Sequence, residues 1–363
     1  MVIARLMTVA VLVLYAGWTA AYAQAPGRVR AQGRDVGGGT EVVPSPGPAQ
    51  PFFDAREEMR KFVQNISAFA KSYNRNFVVL TQNGLALVSK QREGDEDRVA
   101  PARAYMLSID AILQEKLYYG VPEPDAATKE ERRENLLRLA DTATTNGVKV
   151  LVMDYARTRA AIDDSYRLNR AKEFVPFVAE VPAPATNGLP AYPKRPVNEN
   201  SSSIVSLNSL ENFLYLRDST PFGRQDEYAL ALHETNYDMV VVDVFHGRNA
   251  LSKQAVETLK FKKLGARRLV LAYVNIGAAA SYRYYWRSRW REGSPIWISA
   301  PLPQDPDRYF VEYWRPEWQS IITGNTDSYV YGVIDQGFDG VVLDGVESYH
   351  YFEGGLEAVE AAD

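Results

Sequence analysis

Short apolar runs, separated by segments with helical spacing, dominate the pattern of this chain. Eight of the runs are apolar enough for buried strands, and between most of them apolar residues recur every three or four positions, as in amphipathic helices. We predict strands at 76–81, 105–112, 148–153, 174–179, 213–216, 239–243, 267–275 and 338–344. This alternation predicts an α/β fold with a parallel sheet.

The number and order of these elements favour a closed ring. Eight units predict a (β/α)8 TIM barrel that forms a single domain. The pattern starts with an amphipathic helix at 54–73 and finishes just past the strand at 338–344. In a closed barrel that helix would follow the last strand, so we expect a circularly permuted order. An open doubly wound sheet remains the alternative, because it needs no closure.

The first residues have the features of a secretory signal peptide. Arg5 precedes an apolar stretch over 6–18, and an A-x-A site lies at 21–23. We therefore predict cleavage after Ala23 and a secreted or periplasmic location. A membrane anchor is the alternative, but the apolar stretch is short for a span.

Composition divides the remainder of the chain. Residues 24–53 are rich in glycine, proline and small polar residues, which predicts a disordered leader. We assign the barrel to residues 54–353 and a C-terminal tail to residues 354–363.

Charge and residue usage exclude several classes of function. The 363 residues carry a formal net charge of −4, which does not favour nucleic acid as a partner. With no cysteine, the chain has no disulfide, thiolate metal ligand or thiol nucleophile. Its three histidines lack metal-ligand spacing, and no phosphate-binding or dinucleotide-binding glycine motif is present. We expect no metal, no cofactor, no membrane contact after signal cleavage, and a monomer.

Acidic residues lie at the ends of two predicted strands. Asp243 ends the run at 239–243, and Asp344 ends the run at 338–344. Parallel strands bring their carboxyl ends to one rim, where barrel enzymes build their sites. Each aspartate has a structural alternative, which is to cap the following helix or to pair with Arg283.

Several motifs resemble one enzyme family. The stretches at 235–243, 269–286, 309–318 and 337–344 resemble endo-α-1,4-polygalactosaminidase-like glycoside hydrolases, secreted TIM-barrel proteins of the glycoside hydrolase family 114 type. Motifs at 82–85, 114–120 and 150–155 also fit, but they come first here, as in a permuted subgroup. The resemblance covers roughly residues 54–353 and implies hydrolysis of a galactosamine-type exopolysaccharide.

The resemblance also implies a pair of catalytic carboxylates that this sequence keeps only in part. It places one at Asp243 and the other in a motif that usually reads I-G-E-A-E. Here that motif reads Ile276-Gly-Ala-Ala-Ala280, and Ala86 replaces a further expected glutamate. The chain is therefore either a weak or altered glycosidase that uses Asp243 with Asp344, or a carbohydrate-binding pseudoenzyme. An unrelated α/β enzyme on the same barrel is a third hypothesis.

Other residues at the expected rim could contact a sugar. Aromatic rings offer apolar faces for stacking, and amides, carboxylates and guanidinium groups exchange hydrogen bonds with hydroxyl groups. A poly- or oligosaccharide is the expected partner. The predicted binding residues are Asn83, Glu115, Asp154, Tyr273, Asn275, Tyr282, Arg283, Trp286 and Glu347.

Overall fold

The computed structural model describes residues 53–92, 95–183 and 185–362. The signal peptide predicted at 1–23 and all but the last residue of the leader predicted at 24–53 lie outside the described residues. That last residue, Phe53, meets the Trp314 ring edge-on, with 4.5 Å between ring centroids.

Eight parallel strands form one sheet. The strands are β1 (Val78–Gln82), β2 (Ala111–Glu115), β3 (Lys149–Tyr155), β4 (Val175–Ala179), β5 (Phe213–Leu216), β6 (Met239–Asp243), β7 (Leu269–Asn275) and β8 (Gly340–Asp344). Their order in the sheet is β4-β3-β2-β1-β8-β7-β6-β5. The sheet curls until its two edges meet, with the Phe177 and Phe213 rings 5.5 Å apart between β4 and β5. The predicted α/β barrel is thus confirmed as a nearly closed, TIM-barrel-like ring.

Nine helices occur within the described residues. They are α1 (Ala55–Tyr73), α2 (Arg103–Ser108), α3 (Glu130–Thr145), α4 (Arg159–Ala171), α5 (Gln225–His233), α6 (Lys253–Leu259), α7 (Pro316–Ile322), α8 (Tyr329–Gln336) and α9 (Tyr349–Ala362). Most of them lie between consecutive barrel strands, as the alternating pattern predicted. Residues 354–362, predicted as part of a tail, continue α9 beyond a break at Gly354 and Gly355.

The first and last strands of the barrel are neighbours. Val78 to Thr81 of β1 pair in register with Gly340 to Leu343 of β8. Helix α1 reaches α9 through an ion pair of 2.9 Å between Arg56 and Glu353. The Tyr313 hydroxyl donates to the carbonyl of Ala55, at 2.7 Å. Helix α1 therefore occupies the place between β8 and β1 in the ring, as the permuted order predicted. Helix α9, which follows β8 along the chain, lies beside it.

One predicted strand begins as a helix. Residues 105–112 were expected to be extended, but their first part belongs to α2, and the strand starts only at Ala111. Tyr105, Met106 and Ile109 are all buried, a spacing that suits one face of a short helix. The prediction failed because six residues hold too few apolar positions to separate the two periods.

The irregular sequence of residues 295–313 predicts a long loop with a functional role, but the segment is folded. It contains strands Ile298–Leu302 and Asp305–Val311, which pair with each other in antiparallel fashion. The second strand also pairs with Ala278–Ala280, just after β7. We call these three strands the cap sheet. The loop prediction was wrong because Pro301 and Pro306 interrupt the two strands of a local hairpin, and the third strand, Ala278–Ala280, comes earlier in the chain.

The barrel core follows from the apolar runs. The five residues of β1 and the first four of β6 are buried, as expected for strands covered on both faces. Trp318 from α7 is also fully buried, and its indole N–H donates to the carbonyl of Ile276 at 2.8 Å. Of the helices in the described ranges, none combines the length and apolar character needed to cross a bilayer.

Candidate functional site

Strand register brings four polar side chains to one face at the mouth of the barrel. Asp243 pairs with Tyr273 in the sheet, and Asp344 pairs with Asn275. Residues in register on neighbouring strands share a face, and Tyr273 and Asn275 share one because they are two positions apart. The two aspartates expected at the rim therefore project from the same side of the sheet.

Asp243 is held by an arginine. Arg283 donates from Nη1 to Oδ1 at 2.9 Å and from Nη2 to Oδ2 at 2.5 Å, and the Phe245 N–H donates to Oδ1 at 3.0 Å. Both charged side chains are nearly buried, 12% and 11% exposed. Burial alone would lower the pKa of Arg283, but Tyr329 and Asp243 raise it above its usual value. The rim salt bridge considered from the sequence is thus present.

Asp344 has different partners. Its Oδ2 accepts hydrogen bonds from the Tyr273 hydroxyl and from Asn275 Nδ2, the latter at 3.1 Å. Asn275 Oδ1 in turn accepts the backbone N–H groups of Gly277 and Ala278, at 3.1 and 2.7 Å. Asn275 therefore fixes Asp344 relative to the turn that leads into the cap sheet.

Alanine methyl groups stand where the resemblance places two glutamates. Ala278 and Ala280 lie in the first cap-sheet strand, are buried, and line a void of about 10 Å³. Such a void has room for about one water. The backbone partner of Ala280 is Arg308, which pairs with Asp305 at 3.0 Å and donates to the hydroxyls of Tyr282 and Tyr273 at 2.8 and 3.2 Å. Arg283 and Arg308 line this void together with tyrosine and asparagine side chains, and the described residues of its lining include no carboxylate.

Glu115 belongs to a second polar cluster at the same rim. Its Oε2 accepts from Gln82 Nε2 at 2.9 Å and from Asn83 Nδ2 at 2.7 Å, and its Oε1 accepts from the Tyr155 hydroxyl. The Tyr215 hydroxyl crosses the barrel from β5 to Gln82 Oε1, at 2.9 Å. These hydrogen-bonded side chains fill the barrel interior beneath the mouth.

Two cavities open at the mouth. The Asp243 cavity has a volume of about 590 Å³ and the Glu115 cavity about 480 Å³. Arg217, Asp305 and Arg308 line both cavities and so separate them. The Asp243 cavity is also lined by Asp218, Arg248, Tyr282, Arg283 and Tyr284. The Glu115 cavity is also lined by Asn83, Asp344 and Glu347.

Four predicted binding residues line neither of these cavities: Tyr273 and Asn275 line only the small void beside Ala280, and Asp154 and Trp286 lie elsewhere. Asp154 is fully buried, and its carboxylate accepts from the N–H groups of Tyr118 and Tyr119 and from Ser165 Oγ, at 2.9, 3.3 and 2.6 Å. It thereby anchors α4 to the turn after β2. Trp286 stacks on Tyr309 with 5.3 Å between centroids, in an aromatic cluster that packs against the core.

The His246 ring makes structural contacts beside the mouth. The His246 ring nitrogens lie 2.8 Å from Ser219 Oγ and 2.7 Å from the carbonyl of Gly223, so the ring fixes the adjacent loop. Within the described ranges, no three His, Asp or Glu side chains are placed to hold a metal ion.

The sequence interpretation missed the arginines that divide the mouth. Arg217 follows β5 directly, the same position relative to its strand that drew attention to acids elsewhere. Applying the strand-end rule to cations would have found it. Arg308 lies inside the stretch predicted as a loop, so no pattern marked it.

Comparison with known proteins finds a family match for the C-terminal part of the chain. Residues 217–363 match the model of glycoside-hydrolase family GH114. An uncharacterized protein of Thermotoga maritima is 32% identical over 151 residues, which is 42% of this chain and 45% of that relative. An uncharacterized protein of Methanocaldococcus jannaschii is 36% identical over 119 residues, 32% of this chain and 33% of the relative. The chain thus matches less than half the length of each relative. Residues 217–363 form the part of the barrel that matches glycoside-hydrolase family GH114.

Proposed function

We propose that this protein binds a carbohydrate polymer at the mouth of the barrel and does not hydrolyse it efficiently. The observation that carries this proposal is the pair of buried alanines, Ala278 and Ala280, beside an Asp243 whose two oxygens are held by Arg283. Glycoside hydrolysis needs two carboxyl groups around the scissile bond. Loss of a general acid or base costs on the order of 10²–10⁴-fold in rate.

Cavity size and lining support a carbohydrate ligand. Ligand sites have volumes of roughly 300–1,000 Å³, a range that includes both cavities. Tyr282 and Tyr284 line the Asp243 cavity and are 49% and 58% exposed, so their rings are open to a sugar face. The match of residues 217–363 to a glycoside-hydrolase family supports the same ligand class.

Two further parts of the proposal come from the sequence. The resemblance favours a galactosamine-type exopolysaccharide as the first polymer to test. The features of residues 1–23 favour an exported protein, which would meet such a polymer outside the cytoplasm.

Binding and hydrolysis can be separated by direct measurement. We would titrate the full chain with acetylated and de-N-acetylated galactosaminan oligomers by calorimetry and assay the same mixtures for new reducing ends. We expect any oligomer that binds to remain uncleaved, with no new reducing ends. Tyr282→Ala should weaken binding about tenfold, as expected for a lost stacking contact of about 1.4 kcal/mol. Tyr73→Ala removes a comparably exposed ring on α1 and should leave binding unchanged. If no carbohydrate binds, the proposal fails.

Hydrolysis through Asp243 and Asp344 is the second candidate. It is favoured by their projection from one face of the sheet, on strands separated only by β7. That separation is roughly 9–10 Å between strand axes, closer to the carboxyl spacing of inverting than of retaining enzymes. Release of reducing ends that disappears in Asp243→Asn would establish this candidate. Native activity that neither Ala278→Glu nor Ala280→Glu increases would contradict the argument from the missing acids.

A further inference from the structure

Arg217 is a nearly buried cation that forms no direct ion pair within the described residues. Its side chain is only 8% exposed, and its Nε has no hydrogen-bond partner. The guanidinium carbon lies 3.5 Å from the centroid of the Tyr273 ring. No ion pair reaches it from the residues that the structure describes. Burying a charge without a partner is costly, so an arginine kept in this state suits an anion that arrives from outside.

The neighbouring carboxylates are already engaged. Asp243 pairs with Arg283, and Asp305 pairs with Arg308. Asp218 Oδ1 accepts from the N–H of Thr220 at 3.0 Å and from its hydroxyl at 2.5 Å. The carboxylates around the Asp243 cavity therefore accept their hydrogen bonds from other groups, and Asp243 acts on Arg217 only through its charge.

The cavity as a whole has an excess of positive charge. Four arginines and three aspartates line it, which leaves one positive charge over. Arg248, at the exposed edge, is a second arginine outside the ion pairs found within the described ranges. A polymer of de-N-acetylated amino sugars is cationic and would be repelled, whereas a planar carboxylate matches the fork of an arginine.

We propose that the Asp243 cavity recognises an acidic sugar, a hexuronate residue whose carboxylate is bound by Arg217 and whose ring lies against Tyr282. This inference rests on the proposed carbohydrate-binding function, and it assigns an acidic ligand in place of the galactosamine-type polymer that the resemblance favours. Arg248 supplies a second positive charge at the entrance, and Tyr284 extends the aromatic wall. A sulfated sugar shares the anionic chemistry and is distinguished by the test.

Calorimetric titration of the full chain with a defined set of oligosaccharides tests the inference. The probes are an α-1,4-galacturonate pentamer, its neutral methyl ester, a sulfated neutral pentamer and a de-N-acetylated galactosamine pentamer. We expect the galacturonate to bind at least tenfold more tightly than the ester and the galactosamine oligomer, and the sulfated oligomer to bind less tightly than the galacturonate. Tighter binding of the sulfated oligomer would show that the ligand is a sulfated sugar and would overturn the hexuronate assignment.

Variants separate the carboxylate contact from general charge. Arg217→Gln should remove the preference for the acid over its ester, and Arg248→Gln should reduce it severalfold. Arg248 is exposed, so its substitution remains informative if the Arg217 variant does not fold. Arg138→Gln removes the same charge from the exposed face of α3 and should change nothing.

The failures of the two proposals are distinguishable. Equal binding of acid and ester, or a preference that survives in both cavity variants, overturns the acidic-sugar inference while carbohydrate binding stands. Absence of binding to every probe and to acetylated galactosaminan overturns both.

Discussion

Asp243 and Arg283 join the end of β6 to the segment that follows the cap sheet's first strand through two parallel hydrogen bonds. The pair does more than neutralise an acid at the mouth. Arg283 lies between Tyr282 and Tyr284, the two exposed rings of the Asp243 cavity. Its attachment to β6 therefore fixes that aromatic segment relative to the barrel.

Removing the arginine of this pair should destabilise the fold. Arg283→Met would leave Asp243 nearly buried without its cation, and we expect a loss of about 3 kcal/mol in the free energy of unfolding. Urea denaturation monitored by circular dichroism measures it. Arg315→Met breaks a pair with Glu312 whose arginine is 43% exposed, and should cost under about 1 kcal/mol. Equal losses in the two variants would contradict a special role for the Asp243 pair.

A double variant tests whether the two side chains act together. Asp243→Asn combined with Arg283→Met removes both charges, so the combined loss should fall below the sum of the two single losses by about 1–3 kcal/mol. Simple additivity would show that the two groups stabilise the protein independently.

Gly277 allows two turns at the mouth to approach each other closely. A Cβ at this position would lie 1.9 Å from the carbonyl oxygen of Gly345 and 2.4 Å from Ser348 Oγ. We expect Gly277→Ala to cost about 3 kcal/mol, because a backbone atom must move. Gly188→Ala adds the same methyl group in open space and should be nearly neutral. The urea midpoints of the two variants measure this difference in stability. A neutral Gly277→Ala would contradict the predicted steric clash.

Filling the alanine positions should reveal the charge of their surroundings. The void beside Ala280 is too small for a longer side chain, so Ala280→Gln should cost about 1–3 kcal/mol through overpacking. Ala280→Glu has nearly the same volume but places a carboxylate among the residues around that void, which include Arg283 and Arg308. The glutamate variant should therefore be the more stable of the two at pH 7. The reverse order would mean that these arginines are fully satisfied by their present partners.

Asp154 should make stability depend on pH. Burial raises its pKa above the ordinary 3.8, against the opposing effect of its hydrogen bonds. The folded state therefore binds the proton more tightly than the unfolded state, so stability falls as pH rises from about 3.8 through the raised pKa. Asp154→Asn removes this titration. The melting temperature of wild type should decline relative to that of the variant over this range.

A second aspartate provides a control of opposite sign. Hydrogen bonds from the Thr158 and Arg157 N–H groups lower the pKa of Asp125 below 3.8. Its contribution to stability is lost as pH falls through that lowered pKa. The stability of wild type relative to Asp125→Asn should therefore increase as pH rises towards 3.8. Parallel pH profiles of the two variants would contradict both assignments.

The barrel strands were predictable because each one can be identified from its own local sequence. Each central strand is buried on both faces and therefore appears as an uninterrupted apolar run, such as Val240 to Val242. The cap sheet, which the sequence did not predict, depends in part on a strand outside the local stretch. Strand Asp305–Val311 is charged at its start and is ordered by Ala278–Ala280 on one side and Ile298–Leu302 on the other. No local periodicity reports such a pairing.

The site residues divide in the same way, into those that a local pattern marked and those that only the tertiary fold brings to the mouth. Asp243, Asp344 and Arg283 were found from strand ends and from the stretch after β7, and the structure places them at one mouth. Arg217 and Arg308 reach the mouth only through tertiary placement. Asp154 also follows a strand-end pattern, yet its side chain points into the interior beside α4. A position at a strand end does not determine which face of the sheet a side chain occupies.

The ladder between β1 and β8 has a consequence for biosynthesis. Its hydrogen bonds join residues 262 positions apart, from Val78 to Gly340. While the chain emerges, β1 can pair with β2, but its other edge stays unpaired until β8 has also emerged. An unpaired strand edge invites association with other chains. Slow maturation and a need for chaperone protection of the nascent chain would therefore accompany this order of elements.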